Sequence, residues 1–143
     1  MYLSKNIIAE LSRVTDQIKY NIDNAIVPAN YFKWKTVEYK GEFYKGLIDA
    51  STNYFNILVK FRNSITDNDE YMYIKKNIST IYDEIIIEKY KIENKLLSCS
   101  AKSKLESYLT GYISGILIIL NMLDKLFSTV AKGELEYANK NIV

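Results

Sequence analysis

Asp83, Glu84 and Glu88 gather carboxylates in one short stretch, and carboxylates are what acid–base catalysis and Mg²⁺ sites are built from. Only Glu88 falls on the apolar seam of its segment. Lys89, Lys91 and Glu93 beside it give the pattern of a solvated, salt-bridged helix face. The chain contains no histidine. Glu-x-x-His di-iron sites, most haem ligation and Ser-His-Asp or Cys-His nucleophiles are therefore out of reach. Cys99 is the single cysteine, so no internal disulfide can form. With no imidazole to activate it, it reads as a small residue near a helix end. No Gly-x-x-x-x-Gly-Lys phosphate loop is present, which removes ordinary P-loop nucleotide chemistry. The expectation is a protein that is not an enzyme and has no metal or cofactor.

A different chemistry is offered by Tyr31, Phe32, Lys33, Trp34, Lys35, Tyr39 and Lys40, continued by Phe43, Tyr44 and Lys45. Rings that stack on bases, with lysines that meet phosphates, bind single-stranded nucleic acid. Tyr and Trp also anchor protein interfaces. The competing reading is a loop that folds its rings over one end of the protein. A formal charge of only +2 sets up no field toward nucleic acid or anionic lipid, so a protein partner is expected first. Ser107, Gly111 and Gly115 form a ridge of small residues on one side of the last segment. Two glycines each costing about 1 kcal/mol against alanine in a helix point to a close helix crossing, within the chain or in a homo-oligomer.

These residues must be positioned by helices. Leu105, Leu109, Tyr112, Ile116, Ile119, Leu123, Leu126 and Val130 recur in steps of four and three, a heptad seam. Ile7, Leu11, Val14, Ile18 and Ala25 do the same in a first helix expected over Ser4–Val27, with Ser4 as its cap and Pro28 as its stop. Tyr44, Leu47, Ser51, Tyr54, Leu58, Phe61 and Ile65 define a second, over Glu42–Ile65. Tyr71, Ile74, Ile78, Ile81, Ile85, Ile92 and Leu96 define a third, over Asp69–Leu97, interrupted by Glu88. The fourth is expected to be capped by Ser103 and ended by Gly133. Tyr82, Tyr90, Tyr108 and Tyr112 are expected on packing faces, with hydroxyls reaching water. The fold class is all-α: an elongated antiparallel four-helix bundle with one longer connection, Pro28 to Gly41, between helices 1 and 2. Lys33 to Tyr39 could form a short extended piece. Residues 1–133 make a single domain and 134–143 a frayed tail.

Between Gly111 and Leu123 the fourth helix is apolar around most of its circumference, as in a central helix, an association interface or a membrane span. Asn121, Asp124 and Lys125 interrupt the run short of the about 20 residues a span needs, so none is expected. No basic stretch followed by an apolar one opens the chain, so a cytoplasmic location is expected, and Asn77-Ile78-Ser79 is then not a glycosylation site. Abundant Lys, Ile, Asn and Tyr match AT-rich codons and suggest a phage, plasmid or viral gene. The function read from all this is macromolecular binding, of a protein first, as an adaptor, inhibitor or complex subunit. The alternatives are a nucleic-acid-binding subunit of a ribonucleoprotein and a self-assembling structural subunit.

Overall fold

The computed structural model describes residues 2–32, 39–66 and 71–140, and every regular element among them is a helix: α1 (Tyr2–Phe32), α2 (Lys40–Ser64), α3 (Tyr71–Leu97) and α4 (Lys104–Lys140). The heptad seams become the core. Ile7, Leu11 and Ile18 of α1, Leu58 of α2, Ile74, Ile78 and Ile85 of α3, and Ile116, Ile119, Leu123 and Leu126 of α4 are almost wholly removed from water. Consecutive helices are antiparallel. Arg62 near the end of α2 donates to the Thr15 hydroxyl in the first half of α1, and Phe32 at the end of α1 stacks on Tyr44 in the first turns of α2. Likewise Lys75 early in α3 pairs with Glu134 late in α4 at 2.8 Å.

The most extensive contact joins α2 to α4, which are not consecutive. Gly111 faces Phe43, Gly46 faces Tyr108 and Tyr112, and Gly115 faces Leu47 and Ala50. The numbers rise together, so these two helices run parallel. Around the bundle the order is α1, α2, α4, α3, and α2 scarcely meets α3.

Three helix ends differ from expectation. α1 begins at Tyr2, so Ser4 lies inside the helix and is not its cap. Pro28 lies inside α1, which continues to Phe32. Proline there forfeits the bond to the Asn24 carbonyl and crowds it. The turn beyond is held by Phe32, whose ring stacks on Tyr44 with centroids 6.2 Å apart and takes the Lys40 ammonium at 5.4 Å. The connection between α1 and α2 thus shrinks from residues 28–41 to 33–39. Gly133 does not end α4 either, which runs on to Lys140. A helical glycine costs only about 1 kcal/mol, and the Glu134–Lys75 pair lies just past it. Ser103 does cap α4: its hydroxyl accepts from the Glu106 N–H at 3.1 Å, while the Glu106 carboxylate accepts from the Lys102 N–H at 3.0 Å. That reciprocal pair is a relative of the capping box.

Candidate functional site

The tight α2–α4 crossing organises everything near one end of the bundle. A methyl group built on Gly111 would run into the backbone carbonyl of Phe43, and one on Gly46 into that of Tyr108. On Gly115 it would meet the Ala50 Cβ at 2.9 Å and the Leu47 carbonyl at 3.2 Å. Only residues without a Cβ let two backbones come this close. Ser107 extends the ridge, its hydroxyl donating to the Tyr39 carbonyl at 2.8 Å. Ser107, Gly111 and Gly115 are therefore spent on close packing inside the chain. Gly46 and Ala50 are the other half of that crossing. Their four-residue spacing was a readable signal of it.

Of the aromatic-lysine segment, Lys33, Trp34 and Lys35 lie outside the described residues, as does most of the extended piece expected there. The others divide. Phe32 is half-buried against Tyr44 and Lys40. Tyr39 adopts a left-handed backbone (φ 49°) immediately before α2, and its carbonyl is held by Ser107. Tyr31 is 62% exposed, in edge contact with Phe32. So Phe32 and Tyr39 build the bundle end, and Tyr31 projects from it. Val27, Leu97 and Leu105 are also exposed at this end. Leu105 was expected on the buried seam but is 56% exposed, on the wall of a cleft between α3 and α4.

A polar chain crosses the interior behind this end. Tyr54 of α2, nearly buried, hydrogen-bonds to Tyr112 of α4, whose hydroxyl donates to Glu88 of α3 at 3.3 Å. Glu88 breaks the α3 seam because it accepts this bond. Asp83 and Glu84 remain outside, both exposed. Tyr108 donates to Asp49 at 2.6 Å. Tyr90 was expected to pack but is 57% exposed, with the Lys89 ammonium 5.1 Å above its ring. Beyond Glu88, α3 and α4 part to leave an open cleft of about 870 Å³ lined by Glu88, Lys95, Cys99, Tyr108 and Tyr112 among others. Among the described residues, no three cysteine or carboxylate side chains converge as metal ligands would.

Burial raises the pKa of Tyr54 well above the ordinary tyrosine value of 10.0, and the neighbouring Tyr112 and Glu88 raise it further. Burial also raises Tyr112, with Glu88 adding to it. A hydroxyl held protonated in the fold contributes stability that is complete below pH 10.0 and is lost as pH climbs through the raised value. Stability is therefore expected to fall as pH rises above 10.0. Tyr54→Phe should flatten that fall while lowering stability at neutral pH by about 1 kcal/mol for the lost hydrogen bond. Urea midpoints measured across the alkaline range would check both.

The outer face of α4 also departs from expectation. Leu120 is buried, Ile113 and Met122 are half-buried, and Leu117 and Ile118 are 48% and 41% exposed. By length and composition alone, Lys104–Leu135 is long and apolar enough to cross a membrane, with a mean hydropathy of 1.6 over its window. The objection drawn from Asn121, Asp124 and Lys125 therefore does not hold, since a long apolar stretch tolerates a few polar positions. The core helix of a bundle has the same composition, and 39% of that window is buried here.

The class these features define is an all-α four-helix bundle knit by a parallel small-residue crossing. No protein-family model matches the chain, and no curated protein or solved structure matches it either.

Proposed function

We propose that the chain is a non-enzymatic binding protein that engages a protein partner through the bundle end where α1 finishes and α3 turns into α4. The observation that supports this reading is the exposure of Val27 (73%), Tyr31 (62%), Leu97 (86%) and Leu105 (56%) at one end. Single exposed apolar residues are ordinary. Several large ones at the same end supply the anchors that interfaces favour, and the sequence that follows Tyr31 is rich in aromatic residues and lysine. Seating that end against another protein would remove them from water, at about 25 cal/mol per Å² of apolar surface covered. The formal charge of +2 favours a protein over a polyphosphate partner.

Capture of partners from the native cell, then affinity measurements on variants, tests the reading. Tyr31→Ala and Trp34→Ala are expected to leave the urea midpoint nearly unchanged and to weaken binding by about 2 kcal/mol, the scale of an interfacial anchor. Variants that lose stability but bind normally while folded would move the interface elsewhere. A partner that proves to be single-stranded nucleic acid, released by added salt, would replace the protein reading with the nucleic-acid one.

A further inference from the structure

The cleft between the end of α3 and the start of α4 has a polarity that the partner reading does not use. Its volume, about 870 Å³, lies in the range of small-molecule sites. Ile92, Leu105, Leu109 and the rings of Tyr108 and Tyr112 form much of its wall, and Glu88 is the one carboxylate among them. Among the described residues no lysine or arginine pairs with Glu88. Its neighbour Lys89 is engaged by Glu93 at 3.2 Å and lies over Tyr90. Lys95, the cleft's one cation, is seven residues further along α3, about 10 Å along the axis. Tyr112 supplies a single long hydrogen bond of 3.3 Å to a carboxylate with about four acceptor positions. The Tyr108 and Tyr112 rings, with centroids 6.2 Å apart, line the same cleft, and aromatic rings attract cations to their faces. Half-buried negative charge, aromatic faces and apolar walls together describe a receptor for one kind of guest.

We propose that this cleft binds a small organic ammonium ion with an apolar body, its charge at Glu88 and its hydrocarbon against Tyr108, Tyr112 and Leu109. The proposal stands apart from the partner reading and does not depend on it. Calorimetric titration of the intact chain with phenethylammonium chloride tests it, with 2-phenylethanol as the neutral isostere and phenylacetate as the anion. The cation should bind at least about tenfold more tightly than the alcohol, a gap of about 1.4 kcal/mol, and phenylacetate more weakly than either. Glu88→Gln should bring the cation to within about twofold of the alcohol. Leu105→Lys changes an exposed residue at the cleft wall, so the fold should tolerate it. The charge it adds should weaken the cation by at least about fivefold at low salt. Equal affinity for cation and alcohol would overturn the proposal, as would tighter binding of phenylacetate. So would undiminished binding by a folded Glu88→Gln variant. Should that variant unfold, unchanged affinity in Leu105→Lys overturns it instead.

Discussion

Gly111→Ala is expected to lower the stability of the bundle by about 3 kcal/mol, although alanine is the better helix former by about 1 kcal/mol. The sign is set by the α2–α4 crossing. The added Cβ would occupy the place of the Phe43 carbonyl, a backbone atom that no rotamer change can move aside. The helices must separate along the whole contact, which loosens Ala50, Ser51 and Tyr54 on α2 and Ile116 on α4, all now buried. Overpacking a tight core costs about 1–3 kcal/mol and sometimes more, and this contact is backbone against backbone. Gly46→Ala should act the same way through the Tyr108 carbonyl. The double variant should cost less than the sum of the two, because helices already pushed apart leave room for the second methyl. Urea denaturation of the three variants measures this. A stabilised Gly111→Ala would mean that α2 and α4 do not cross this closely in solution, and the ridge would again be open to self-association.

That crossing also marks where the sequence stopped being legible. The 3.5-residue period identified nearly every core position, since a seam that must stay buried constrains about one residue in every helical turn. Leu109, Ile116, Ile119, Leu123, Leu126 and Val130 are all buried as their spacing required. Period alone says nothing about which helix a seam meets. The pairing of α2 with α4 rests on glycines, whose signal is the absence of a side chain. Gly111 and Gly115 stand out on an otherwise apolar α4, while Gly46 and Ala50 lie off the aromatic seam of α2 and carry none of its heptad signal. Pro28 misled for a related reason. A local rule predicts a helix end there, whereas Phe32, Tyr44 and Lys40 provide packing beyond it, and tertiary contact outweighs a lost backbone bond. Glu88 was legible as an interruption of a seam. Its partner Tyr112 could not be foreseen, because the α3–α4 register is set at a turn with no sequence period.

Ile119→Ala is expected to cost about 2–5 kcal/mol, the range for emptying a core position that cannot collapse. Ile119 is 1% exposed and lies between Ile116 and Leu123, neither with any exposure, so its neighbours have little freedom to refill the space. Leu117, two residues earlier on the same helix, is 48% exposed, and Leu117→Ala should cost no more than about 0.5 kcal/mol, as surface substitutions do. The contrast is more informative than either value. The two residues are alike in size and hydropathy and share the window that is apolar enough for a membrane. If α4 were stabilised by lipid rather than by the bundle, truncating either should matter comparably. A large loss at Ile119 with almost none at Leu117, in aqueous buffer by urea denaturation, is what packing against α1, α2 and α3 requires. Similar losses at both positions would mean that the outward face of α4 is covered in solution by a second copy or another partner, and the interface would then have to be sought there instead of at the bundle end.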